Sequence, residues 1–214
     1  MNKNILIITF FMVLGVGLAN AKEVSSKDLF LIDNVAYIQG TDNPYTGKVV
    51  DKYPSGAKQY QMFLKNGKRE GVSIQWYKDG PIKTKNSYVD GKHDGYAIWW
   101  NPNGKKKFET QLINGVESGT ATEWSNNGKK ISEIYTKDGI MYGFVTYEKG
   151  EPIESHKNNG HGYTGTITTW HEDGIKQCVR HYKEGKLNGL QKCWLSDGKL
   201  FTNEDYVDGK IVVA

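Results

Sequence analysis

Apolar and polar side chains alternate along 71–76, so that Ile74 and Trp76 share one side of an extended chain while Gln75 takes the other. A period of two is the signature of a β-strand with two unlike faces. The strand ends at Lys78-Asp79-Gly80, a second strand-like run follows, and Val89-Asp90-Gly91-Lys92 closes the stretch "GVSIQWYKDGPIKTKNSYVDGK" (71–92). Asp-Gly and Asn-Gly pairs tolerate the positive φ that tight turns require, so this stretch predicts a β-hairpin.

The hairpin recurs. Glycines stand at 47, 71, 95, 119 and 143, each 24 residues after the last, then at 165 and 189. A second series follows at 56, 80, 104, 128, 174 and 198, and a third at 67, 91, 115, 139, 185 and 209. Three series in register define a tandem array of seven units over 45–214. Turns every 10–12 residues with no room for a crossover helix make neighbouring strands pair antiparallel. The expected fold is all-β: an elongated single-sheet antiparallel meander of hairpin repeats. Residues 22–44 precede it as a capping segment, in which "LFLIDNVAYIQG" (29–40) predicts a hairpin turning at Asp33-Asn34.

Alternation assigns faces. Trp76, Trp100, Trp124, Trp170 and Trp194 each fall five residues after their unit's glycine and so form a column beside Ile74, Ile98, Thr122 and Thr168. Trp99 points to the other face, where other units carry Gln75, Glu123, Thr169 and Cys193. These six tryptophans are the candidate contact residues. The alternative is that neighbouring side chains bury the column within the ribbon. A turn centred near Gly185-Lys186 sets Tyr182 across from Gly189, with Tyr88 and Leu112 in the same relation to Gly95 and Gly119. It also sets Cys178 opposite Cys193, which predicts a cross-strand disulfide, for roughly 3 kcal/mol in the chain-entropy model.

The fifth unit (143–164) is irregular. It is two residues short, carries Tyr147 where a tryptophan is expected, and adds Pro152. "GYTG" at 162–165 then echoes "PYTG" at 44–47, so the chain reads as two blocks joined by that unit.

"EGVSIQWYKDG", "DGYAIWWNPNGK" and "NGLQKCWLSDGK" resemble MORN repeats, specifically the bacterial antitoxin-like variant, and "PYTGKVVDKYPSGAKQ" (44–59) resembles its usual opening unit. The resemblance covers about 45–210. It implies an elongated β-meander used for protein association or, in eukaryotic members, membrane-proximal scaffolding, and a toxin as one kind of partner.

Composition narrows the classes further. Lys3, the apolar run Ile5 to Leu18 and Ala19-Asn20-Ala21 have the order of a secretory signal, predicting cleavage after Ala21 and export to periplasm, cell surface or medium. Removing Lys3 takes the net charge from +4 to +3, too mild for a nucleic-acid footprint. Lysines cluster at turns (Lys105 to Lys107, Lys129-Lys130, Lys199), where they guard sheet edges against aggregation and offer anionic lipid or glycan a surface. No nucleophile elbow, P-loop, dinucleotide fingerprint or metal-ligand spacing occurs, so neither catalysis nor a cofactor nor a metal is expected. The sequence thus points to a secreted, non-catalytic scaffold with a protein partner, and behind it a binder of anionic lipid or polysaccharide.

Overall fold

The structure, a computed structural model, describes residues 23–157 and 161–212. The expected export signal, 1–21, lies outside them. Strands β1 (Leu29–Ile32) and β2 (Val35–Ile38) form a hairpin whose turn residues Asp33 and Asn34 both take positive φ, 49° and 63°. An 11-stranded sheet follows: β3 (Gly47–Lys52), β4 (Lys58–Lys65), β5 (Lys68–Trp76), β6 (Ile82–Val89), β7 (Lys92–Trp100), β8 (Lys106–Ile113), β9 (Val116–Glu117), β10 (Gly119–Trp124), β11 (Lys130–Lys137), β12 (Ile140–Glu148) and β13 (Glu151–Lys157). A second sheet of six strands contains β14 (Gly165–Trp170), β15 (Lys176–Lys183), β16 (Lys186–Leu187), β17 (Gly189–Trp194), β18 (Leu200–Val207) and β19 (Lys210–Ile211). The fold is therefore an all-β antiparallel hairpin meander. It differs from a single sheet in one respect: it divides after β13.

Two kinds of turn alternate. The turn between units is a two-residue turn with both φ positive, as at Asp90 (47°) and Gly91 (83°), which matches the right-handed twist of the strands it joins. The turn within a unit is wider: Tyr77 N donates to Pro81 O at 2.8 Å and Gly80 N to Tyr77 O at 3.0 Å.

The register between units corrects the expected one. Tyr88 pairs with His93, not Gly95, and Tyr182 pairs with Leu187, not Gly189. Leu112 likewise pairs with Glu117 rather than Gly119. The turn sits one residue earlier than expected, and the opening glycine lies in a β-bulge that restores the count further along, where Asn86 meets Ala97 and Cys178 meets Cys193. Each large side chain instead crosses the glycine of its own hairpin: Tyr88 over Gly71, Leu112 over Gly95, Tyr182 over Gly165 and Tyr206 over Gly189.

The two faces differ in burial. Val49, Ser73, Ala97, Ala121, Ile167 and Gln191, each two residues after its glycine, are all buried, so theirs is the inner face. In the first strand of the fifth unit the buried side chains are instead Phe144 (1 % exposed) and Thr146 (0 %), one and three residues after the glycine. The cause is the bulge. Between β11 and β12 the register slips by one residue, from Tyr135↔Gly143 to Thr136↔Met141, whereas other units slip by two. A one-residue change flips every following side chain to the other face. Tyr147, four residues after Gly143 rather than five, thereby keeps to the face of the tryptophan column.

The start of the second sheet repeats the start of the first. Ala36 N donates to Gly67 O, Tyr45 N to Ala36 O and Gly67 N to Tyr45 O, at 2.7–2.9 Å. Met141, Tyr163 and Gly185 form the same ring of bonds at 2.7–3.2 Å. Tyr45 and Tyr163 lie over Gly47 and Gly165, where a Cβ would strike the phenol ring. The echo of "PYTG" in "GYTG" is thus a repeated junction, with a small core beneath each copy: Val24, Ala36, Tyr45, Val49 and Leu64 in the first, Met141, Phe144, Tyr163 and Ile167 in the second.

Candidate functional site

The outer face carries the tryptophan column. Trp76, Trp100, Trp124, Trp170 and Trp194 are all half-buried. Lysines lie over three of these rings and over Tyr147, mostly because each unit's second strand begins beside the next unit's ring. Lys58 Nζ lies 5.6 Å from the Trp76 ring centroid, and Lys106 Nζ 5.5 Å from that of Trp124. Lys130 lies over Tyr147 at 5.7 Å, while Lys176 lies over Trp170 of its own hairpin at 5.8 Å. Each such contact contributes about 0.5–1 kcal/mol at a solvated site. Ile82 holds the equivalent place ahead of Trp100. Two of the turn lysines expected to line the edges, Lys106 and Lys130, therefore lie across the aromatic face. Others tie turn to turn, as where Lys105 Nζ donates to Asn127 O at 2.6 Å.

In three units the residue six after the opening glycine links to the next unit. Tyr53 Oη donates to Trp76 O at 2.8 Å and Tyr77 Oη to Trp100 O at 2.7 Å, and His171 Nε2 lies 2.8 Å from Trp194 O. Glu133 is a further hub of this face. It accepts from Lys130, from Tyr147 Oη at 2.7 Å and from Tyr135 Oη at 3.4 Å. Burial alone would raise its carboxyl, but those bonds and the Lys130 charge outweigh burial and hold it below the ordinary range. Tyr147 responds in the opposite sense: burial first, then its bond to Glu133, pushes the phenol up to about 12.

Trp99 lies on the inner face, as alternation requires. It is half-buried and sits across from Phe108, ring centroids 5.5 Å apart, next to the buried Ala97, Thr84 and Thr110. It is thus set apart from the column, on the opposite face. The inner face of this sheet also holds a stack invisible to spacing arguments. Arg69 lies over Tyr88 at 5.2 Å and donates to its Oη at 3.2 Å, and His93 packs on the same tyrosine ring at 4.2 Å.

His93 Nδ1 is buried with no hydrogen-bond partner. Burial, then the Arg69 guanidinium, lowers its pKa below 6.5. The folded state therefore prefers the neutral ring, and the stability this contributes is fully present above the unfolded value. It is lost as the pH falls from about 6.5 through the lowered folded value. Thermal melts across that window should fall more steeply for the native chain than for His93→Phe, which has no proton to take up. Parallel curves would remove His93 as the cause.

Between the two sheets lies a cleft of about 860 Å³, walled by the turn 123–127 of one sheet and by β15, β17 and β18 of the other. Side-chain bonds between its lining residues join the two sheets: Gln177 Nε2 donates to Glu123 Oε1 at 2.7 Å and Asn127 Nδ2 to Glu172 Oε2 at 2.6 Å. Cys178 and Cys193, joined as a disulfide, lie along its floor. A similar hollow of about 740 Å³ occupies the equivalent place in the first sheet, with Gln59, Tyr60 and Trp76 where the second has Gln177, Cys178 and Trp194. There the wall is the segment after Glu23, held where Ser25 Oγ and Ser26 N donate to Asp51 Oδ1 at 2.8 and 2.9 Å.

Among the described residues, no group of three or more His, Cys, Asp or Glu gathers as metal ligands. Comparison with protein-family models and with curated proteins found no match.

Proposed function

We propose that this chain is an exported, non-catalytic repeat scaffold of MORN type that holds a partner protein on its outer face. One observation carries the reading. Val72 (42 % exposed), Tyr96 (52 %) and Leu190 (42 %) stand in the same place in their units, one residue after the opening glycine, and share a face with the half-buried tryptophans four residues further along each strand. Val72 and Tyr96 lie in adjacent units of the first sheet and Leu190 in the second, and exposed large apolar side chains on one face with aromatic rings have the composition of an interface core. The column itself, with its lysine cover, contributes the rims of its rings to that face. A toxin-like protein is the partner class that the MORN resemblance adds.

The rival reading is attraction of anionic lipid or polysaccharide to the turn lysines. It is weakened by how many of those lysines already face a ring or a carboxylate, such as Lys68 with Asp90 at 2.9 Å and Lys199 with Asp197 at 2.8 Å. A photo-crosslinking benzoylphenylalanine placed at position 96 separates the two. One dominant protein adduct should form in the native envelope and persist at about 500 mM salt, where exposed charges are screened within a few ångströms. The same probe at the exposed Asp208 position should give none. Adducts that vanish with salt, or none at position 96, would transfer the function to the lysines or to another face.

A further inference from the structure

We infer that the cleft between the two sheets is a binding site for a neutral oligosaccharide, a role beyond partner binding on the outer face, with which the cleft shares Trp124 and Trp194. Three features point to sugar. First, Trp124, Trp194 and Phe201 border the cleft, and Phe201 is 68 % exposed at its rim. An apolar ring left in water beside polar groups is a platform for the C–H face of a pyranose, which is apolar on its flat sides and polar at its edge. Second, the polar lining is mixed. Glu123 and Gln177 offer acceptors and Arg180 offers donors, and acidic and basic groups occur together, which suits hydroxyls that both donate and accept and does not select a charged ligand. Third, the cleft has an unmet polar demand. Gln177, which lines the cleft, has its Oε1 buried with no partner.

The shape favours a glycan over a peptide strand. The cleft is lined by sheet faces and turn tips, not by a strand edge, so an extended peptide lying in it would find side chains only for its own N–H and C=O groups. The hollow also recurs in the first sheet, and a repeated hollow suits a ligand that is itself a repeating polymer.

Titration calorimetry on the full chain tests this with cellohexaose, chitohexaose and maltohexaose, and with dextran sulfate as the anionic probe. One neutral hexasaccharide should bind saturably, with little change between about 50 and about 500 mM salt. Phe201→Ala, an exposed position whose loss leaves the fold intact by circular dichroism, should weaken that binding about tenfold. Gln177→Ala should weaken it as well, while Tyr96→Ala on the outer face should leave it unchanged. Binding of none of the three neutral sugars overturns the inference. So does equal binding by the native chain and Phe201→Ala, or binding confined to dextran sulfate and abolished by salt.

Discussion

Phe144→Ala is expected to cost about 3–5 kcal/mol, the usual range for emptying a buried aromatic site. Phe144 is 1 % exposed, and its ring meets Tyr163 edge-on at 5.1 Å and His156 at 6.2 Å. It belongs to the cluster of Met141, Tyr163 and Ile167, in which residues of both sheets meet. An antiparallel meander is otherwise held by neighbour pairing, so loss at a junction should be felt by both blocks. Chemical denaturation followed by tryptophan fluorescence would measure it, with Tyr96→Ala as a surface control expected within about 0.5 kcal/mol of the native chain. A Phe144→Ala variant as stable as the native chain would mean that the blocks stand without this core. A transition that splits in two would show that the junction is what makes them unfold together.

The second large effect concerns the disulfide. Cys178 and Cys193 are opposite members of the β15–β17 ladder, with Cα atoms 4.1 Å apart and a sequence separation of 15. Closing a loop of that length is worth about 3 kcal/mol in the chain-entropy model. The Cys178→Ser/Cys193→Ser variant should lose about that much, and the reduced native chain should fall with it. Alkylation of oxidised protein without reduction, followed by mass spectrometry, should recover both cysteines in one linked peptide. Equal stability of oxidised and reduced protein would make the bond irrelevant to folding, and free labelling of both thiols would break the register between β15 and β17.

The hairpins were legible because their causes are local. Alternation of side chains and turn pairs such as Asp79-Gly80 and Asn103-Gly104 act over a few residues, and the capping hairpin at Asp33-Asn34 could be read the same way. The face of each tryptophan followed from parity. The bulges were not legible. Moving the turn one residue earlier shifts the pairing by two, the bulge at the opening glycine shifts it back by two, and the Cys178–Cys193 pairing is the same with both or with neither. Only residues between turn and bulge, such as Tyr88 and Tyr182, report the difference. The cleft was hidden for another reason: Glu123 and Gln177 are far apart in sequence, and no periodic signal connects them.

The sequence by itself determined the unit: two strands, two kinds of turn, a glycine at each opening and an aromatic ring near each strand end, because backbone dihedrals and side-chain parity are set within a few residues. The tertiary structure decided what the units make together. A one-residue bulge before Phe144, in place of the two-residue bulge of the other units, turned that side chain inward and gave the second block a core. The meander divides one strand later, after β13, and the cleft opens between the two sheets. Bulge size depends on which strand registers bury the most apolar surface across the ladder, and that is a property of paired strands rather than of any one of them.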